Sequence, residues 1–262
     1  MNTFDLLKPL PGLRVLVTGG AAGIGAAIAR AFDEAGARVF VCDVDPAALD
    51  AVSKDIPGVR AAVADVSRKE DAAAVVASCA EAFGGLDVLV NNAGIAGPTG
   101  RVEEIDPDGW DRTIATNLNS QFYFLRQAVP VLKASPNGSI IAMSSVAGRL
   151  GYPFRTPYAS TKWAIVGLMK SLAIELGPDN VRVNAILPGL VAGPRIDRVI
   201  DARAKALGVS FDDMRKTYLE KVSLRRMVTT TDIAAIALFL CSPAASNITA
   251  QAISVDGNME YL

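Results

Sequence analysis

The sequence contains no histidine. That excludes Ser-His-Asp and Cys-His nucleophile machinery, and zinc sites of the HExxH or Cys2His2 kind. Proton transfer near neutral pH must come from Asp, Glu, Lys, Tyr, Cys or a cofactor. Excess charge of either sign is also missing. Lys+Arg number 26 against 27 Asp+Glu, a net charge of -1, so nothing attracts nucleic acid or an anionic membrane over long range. Cysteine is sparse. Cys42, Cys79 and Cys241 are odd in number, widely spaced and without a CxxC pair. They read as buried apolar side chains in a reducing compartment, not as a disulfide or metal framework. Long apolar runs are lacking too: the best, Ile233 to Cys241, reaches about half a membrane span. The opening MNTFDLLKPLPGL lacks the basic start and apolar stretch of a signal peptide. These absences predict a soluble, cytoplasmic protein with no metal, nucleic-acid or membrane partner.

What is present is a rhythm. Short β-branched runs alternate with Ala-rich helical stretches along almost all of the 262 residues. Strands are expected at Arg14–Thr18, Arg38–Cys42, Val59–Ala64, Leu86–Val90, Ser139–Met143, Val181–Leu187 and Ala252–Val255. Helices fit between them at Ala26–Ala35 and roughly 46–54, 68–83, 107–133, 157–176 and 230–241. This alternation predicts a single α/β domain over 1–262, a doubly wound parallel sheet of about seven strands covered on both faces. One segment departs from the pattern: Leu190 to Val228 is long, helical and charge-rich. In an open α/β sheet the ligand lies beyond the strands' carboxyl ends, which puts this insert near the site. A surface excursion and a substrate lid both fit, and a connection this long favours the lid.

Thr18-Gly19-Gly20-Ala21-Ala22-Gly23-Ile24-Gly25 follows the first strand and opens the first helix. One glycine permits the sharp turn, another lets backbone N–H groups reach a pyrophosphate, and a third lets helix pack closely on strand. A glycine-rich turn by itself also describes an ordinary tight connection. Its place between strand and helix points to a dinucleotide, with Gly19, Ala22, Gly23, Ile24 and Gly25 as contacts. Asp43 ends the second strand, near the spacing expected of a ribose-binding acid. A carboxylate there accepts from both adenosine ribose hydroxyls and repels a 2′-phosphate. The neighbouring Ala22 and Val44 are not basic, so the expected cofactor is NAD.

Without histidine, the proton-transfer group must be sought elsewhere. Of the five tyrosines only Tyr158 has a lysine four residues on, Lys162, and on a helix that spacing puts both on one face. Free tyrosine titrates near pH ~10, so a phenolate at neutral pH needs a nearby cation in a partly dry cleft. Amphipathic helices also carry such pairs without function.

Taken together, the Thr18–Gly25 loop, Asp65-Val66, Asn91-Asn92-Ala93-Gly94, Asn117, Ser145, Tyr158-Ala159-Ser160-Thr161-Lys162, Pro188-Gly189 and the closing Gln251–Gly257 resemble the short-chain dehydrogenase/reductase family. The resemblance spans nearly the whole chain, and Ser145 precedes Tyr158 at the family's spacing. It implies that Tyr158 is the general acid/base and that Lys162 lowers its pKa and binds the nicotinamide ribose. It implies that Ser145 bonds the substrate oxygen and that Asn117 holds a water in the proton relay. Asp65 and Val66 would meet the adenine, Asn92, Ala93 and Gly94 would line the cofactor's path, and Pro188 and Gly189 would follow. The family often has Thr where Gly193 stands, which leaves backbone groups near Val191 to take the carboxamide. It also implies a homotetramer, with the helices around 107–133 and 157–176 packing between subunits.

Substrate contacts are expected from Ile95–Arg101, including Ala96, from Val146–Phe154, including Ala147, Tyr152 and Phe154, and from the lid. Arg195, Arg198, Arg203 and Lys205 suggest an anionic substrate, with Arg195 the foremost contact. Interspersed Asp197, Asp201, Asp212 and Asp213 make a charge-laced exposed helix an equal explanation. The lid's length and the Leu224–Met227 stretch resemble the family's polyol, sugar and acetoin-type dehydrogenases. The expected reaction is hydride transfer between NAD(H) and a secondary alcohol or ketone. Reduction of 3-oxoacyl groups on acyl-carrier protein or CoA is the alternative. A cofactor-sensing regulator is the non-enzymatic one, although such proteins typically lose the Tyr or Lys that stand here.

Overall fold

The structure, a computed structural model, describes residues 3–261. After a helical turn at Thr3–Leu6 the strands run β1 (Arg14–Thr18), β2 (Arg38–Asp43), β3 (Arg60–Val63), β4 (Val88–Asn91), β5 (Ser139–Met143), β6 (Arg182–Pro188) and β7 (Ala252–Val255). They form one seven-stranded sheet in the order β3-β2-β1-β4-β5-β6-β7, and every pairing is parallel. The helices are α1 (Gly23–Glu34), α2 (Pro46–Asp55), α3 (Lys69–Phe83), α4 (Pro107–Ile114), α5 (Ser120–Lys133), α6 (Thr156–Leu176), α7 (Pro194–Leu207), α8 (Phe211–Glu220) and α9 (Thr230–Leu240). This is the doubly wound α/β sheet expected, with strand positions matching to within two residues at either end.

Pleating explains why the strands read as unbroken apolar runs. Leu16, Phe40, Leu89 and Ile140 face one core with Phe124, Ile165 and Met169 of α5 and α6. Val15, Val17, Val41, Val90 and Ile141 face the other with Ile28, Phe32, Ile233 and Leu240 of α1 and α9. Both faces are dry, so alternation with polar residues has no purpose in the central strands. The edge strands β3 and β7 are only partly covered. Burial pushes the thiols of Cys42 and Cys79 up to about 12 and that of Cys241 up to about 11, so the free cysteines are inert core side chains. Among the described residues no helix is long and apolar enough to cross a membrane.

Helix 107–133 is not continuous. Between α4 and α5 the turn Ala115–Asn119 is a π-helix. Such insertions concentrate at functional sites because they re-aim one side chain without ending the helix, and here Asn117 is turned inward and fully buried.

Away from the site, one polar knot ties β1, β4 and the loop after α5 together. Asp87 accepts hydrogen bonds from the Arg14 side chain at 2.6 and 2.8 Å, from Arg14 N–H at 2.8 Å and from Ser135 Oγ at 2.5 Å. Burial alone would raise its pKa, but these bonds and the Arg14 charge outweigh it and hold the carboxyl below its ordinary 3.8. A depressed acid stabilises the fold above its ordinary value, and that contribution is lost as pH falls through the lower folded value. Asp87→Ala strands the guanidinium and the buried Ser135. It should cost about 3 kcal/mol and lower the thermal midpoint by roughly 6–12 °C, as read by circular dichroism. The gap between wild type and variant should close in acid.

Candidate active site

The strand order reverses between β1 and β4, which opens a crevice at their carboxyl ends. Two side chains stitch it. Thr18 Oγ1 accepts from Asn92 N at 3.0 Å and Ala93 N at 3.1 Å, while Asn92 Nδ2 donates to the carbonyls of Thr18 at 2.9 Å and Gly19 at 3.0 Å. A Cβ on Gly25 would lie 2.0 Å from Gly19 O and 2.6 Å from Asn92 Nδ2, so α1 presses its backbone on the loop and only glycine fits. Ala22 caps α1 without a side-chain bond. The N–H donors of the first turn, at Gly23, Ile24 and Gly25, are thus left without a protein cap and suit a pyrophosphate. Asp43 Oδ2 accepts from Ala21 N at 3.3 Å, and its Oδ1 from Val44 N at 2.8 Å and Asp45 N at 3.3 Å. Its carboxylate therefore spans the end of β2 and the glycine loop. Val44 is exposed. Beyond β3, exposed Asp65 takes the amide and hydroxyl of Ser67 at 2.9 and 2.7 Å, with Val66 buried behind it.

The expected Ser145, Tyr158 and Lys162 come together. Ser145 stands just past β5 and accepts from Ala147 N at 3.2 Å, at the head of the 3-10 turn Val146–Gly148. Tyr158 and Lys162 occupy adjacent turns of α6, with Nζ 5.6 Å from the ring centroid. Lys162 Nζ donates to Met143 O at 2.8 Å. Burial, partly offset by Tyr158, brings the ammonium down to about 8, with the charge of Arg195 pushing the same way. For Tyr158 burial pushes the phenol up. Lys162, Arg195, the hydrogen bond from Ser145 and Arg155 outweigh it and hold the phenol below its ordinary 10.0.

Arg155 was not legible as a site residue. It is 4% exposed, its guanidinium lies 5.3 Å from the ring centroids of both Tyr152 and Tyr158, and Nη2 donates to Ala96 O at 2.6 Å. A second tie, Gly100 N to Phe154 O at 3.0 Å, joins the same two loops, so the expected substrate segments 95–101 and 146–154 form one wall. Phe154 turns that corner with φ 66. Asn117 works as a strut: its amide donates to Ile95 O at 3.0 Å and Thr161 Oγ1 at 3.3 Å and accepts from Ile95 N at 2.7 Å.

Leu190–Val228 folds as α7 and α8 over the crevice side of β6. Val191 pairs with Val228 in a parallel bridge, and Gly189 N bonds Val255 O at 3.0 Å, which fixes the turn after Pro188. Gly193 precedes α7 with φ 141. That backbone is strained for any L side chain. Arg195 follows in the first turn of α7 and is exposed. Ala147 is buried with Leu190, Ile200, Met214 and Tyr218 in a cluster beneath the two helices. The hydroxyls of Tyr152 and Tyr218 meet at 3.2 Å, latching α8 to the wall. Burial pushes the Tyr152 phenol well above its ordinary range, so it remains protonated.

A family model described as enoyl-(acyl carrier protein) reductase matches residues 19–260. The chain belongs to the short-chain dehydrogenase/reductase family. This short-chain dehydrogenase/reductase is 33% identical over 249 residues to a D-beta-hydroxybutyrate dehydrogenase of Rhizobium meliloti, covering 92% of this chain and 96% of that one. It is 37% identical to an L-fucose dehydrogenase of Bos taurus over 89% of this chain and 84% of that one. In structure it resembles a variant of actinorhodin polyketide ketoreductase solved with NADPH, at a TM-score of 0.90 and 31% identity, over 95% of this chain and 97% of that one. As a short-chain dehydrogenase/reductase, the protein is an oxidoreductase that uses a nicotinamide cofactor.

Proposed function

We propose that the protein oxidises a secondary alcohol, or reduces the matching ketone, with NAD(H), on a polyol, sugar or other small hydroxylated substrate. The observation that carries this is the lowered phenol of Tyr158 between Ser145 and Lys162. Bound there, the nicotinamide would accept or donate the hydride. Tyr158 takes the hydroxyl proton in oxidation and returns it in reduction. Ser145 holds the substrate oxygen and steadies charge on it. Lys162, anchored to Met143 O, favours the phenolate and would hold the nicotinamide ribose. Asn117 keeps the loop after β4 in register with α6 beside any relay water. Gly19, Ala22, Gly23, Ile24 and Gly25 would hold the pyrophosphate, Asp65 and Val66 the adenine, and Asn92, Ala93, Gly94, Pro188, Gly189 and Val191 the remaining length of the cofactor. Ala96, Ala147, Tyr152, Phe154 and Arg195 would surround the substrate, with α7 and α8 as its lid over 190–228.

NAD rather than NADP is favoured by charge. A 2′-phosphate would meet the Asp43 carboxylate, with no basic residue at Ala22 or Val44 to offset it. Like charges at ~4 Å repel by about 4 kcal/mol at an effective dielectric of 20. The same feature argues against an NADPH-linked acyl reductase. Exposed Phe122, Trp163 and Ile174 on the outer faces of α5 and α6 suit a homotetramer, and reduced, buried cysteines suit the cytoplasm. The test is a screen of secondary alcohols, polyols and sugars with both cofactors. Turnover should appear with NAD, and NADH should bind at least about 100-fold tighter than NADPH. Tighter NADPH binding would overturn the cofactor assignment.

A further inference from the structure

Three cations lie around Tyr158, and among the described residues none of them is in an ion pair. Lys162 lies over the ring at 5.6 Å and Arg155 at 5.3 Å, and Arg195 stands close enough for its charge to act on both Tyr158 and Lys162. Among the described residues every ion pair involves other side chains. Arg155 is the most telling of the three. A buried guanidinium is costly without a counter-charge, yet this one has two tyrosine rings, one carbonyl and an Nε with no partner. Next to it, Thr156 Oγ1 is likewise buried and unpartnered. Two orphan polar atoms in consecutive residues, one turn ahead of the proton-transfer tyrosine, mark a place where protein groups alone do not complete the bonding.

Arg195 offers the accessible half. It sits in the first turn of α7, where the helix end adds positive potential, and Gly193 before it caps nothing with a side chain. Asp197 is two residues on, and residues so spaced lie on opposite sides of a helix, so it leaves Arg195 uncompensated.

We infer that the site takes a secondary alcohol carrying an oxyanion, a carboxylate or a phosphate, held directly by Arg195 and from behind by the field of buried Arg155. The inference rests on the dehydrogenase reading and narrows its substrate class from neutral polyols to anionic hydroxy compounds.

The test uses the NAD-loaded enzyme with matched pairs: lactate, 3-hydroxybutyrate and 4-hydroxyvalerate each against its methyl ester, and glycerol 1-phosphate against glycerol. The charged member of one pair should win by at least about 100-fold in kcat/KM, and which pair responds separates carboxylate from phosphate. Arg195→Gln should reduce that preference by about 10–100-fold, chiefly through the KM of the charged member. Arg155→Lys, which keeps the charge, should retain more of the preference than Arg155→Met. A second readout needs no turnover: with NADH bound, the matching keto acid should raise the thermal midpoint of wild type and not of Arg195→Gln. Neutral partners reacting as well as the acids would overturn the anion site and leave the dehydrogenase standing. Protection by the acid without any turnover would support the anion site and overturn the hydride-transfer reading.

Discussion

Tyr158→Phe should bind NADH within about threefold of wild type and lose turnover by about 1000-fold or more, the range of a removed general acid/base. That corresponds to roughly 4 kcal/mol of transition-state stabilisation. The variant deletes one oxygen from a half-buried ring, and Lys162 keeps its bond to Met143 O, so the fold and cofactor path have little reason to change. The pH profile makes the result specific. Wild-type oxidation should climb with pH through an apparent value below 10, since only the phenolate accepts the proton and its neighbours favour it. That value belongs to the coupled Tyr158 and Lys162 rather than to either alone. In Tyr158→Phe the residual rate should be flat over the same interval. With no histidine in the chain, a surviving ramp has no imidazole to explain it and would sink the mechanism. Steady-state rates and NADH fluorescence titration measure both halves.

Gly25→Ala should damage cofactor binding most. The new methyl would stand 2.0 Å from Gly19 O and 2.6 Å from Asn92 Nδ2, and both are fixed: Asn92 donates to that carbonyl and to Thr18 O. Relief requires α1 to lift off the loop, carrying its first-turn N–H groups with it. NAD affinity should fall by about 100-fold, close to 2.7 kcal/mol, and overpacking should cost about 1–3 kcal/mol of stability. Gly177→Ala is the control. It lies at φ -55 with nothing within 4 Å of the added carbon, so binding should be unchanged. Calorimetric titration with NAD on both variants decides it, and unimpaired affinity in Gly25→Ala would refute the assignment of the loop.

The strands were legible because a parallel sheet dry on both faces leaves one composition available to its interior, and Val15-Leu16-Val17 or Ile140-Ile141 show it plainly. Spacing alone made Tyr158 and Lys162 candidates because they share a helix face, while Ser145 and the three roles came from the resemblance to the short-chain dehydrogenase/reductase family. Other features lay outside what spacing encodes. The π turn at Ala115–Asn119 changes no apolar periodicity beyond a single residue. Tyr152 and Tyr218 meet across 66 positions and Asn92 ties to Thr18 across 74, pairings that depend on how loops return over the sheet. Arg155 stands just outside α6 as its non-helical N-cap, so no helical spacing ties it to Tyr158. Its burial beside two tyrosines emerges only when segment 95–101 folds against it.

The π turn bears on how this chain can vary in length. Each helical residue turns the following side chains by about 100°. Deleting a residue from Ala115–Asn119 would restore ordinary winding, but the halves on either side would no longer agree. Either α5 would rotate its buried Phe124 and Leu125 out of the core, or Asn117 would swing away from Ile95 and Thr161. The extra residue thus acts as a phase shifter between a helix that answers to the sheet and one that answers to the substrate wall. Insertions and deletions should be tolerated on exposed loops while this stretch keeps its count.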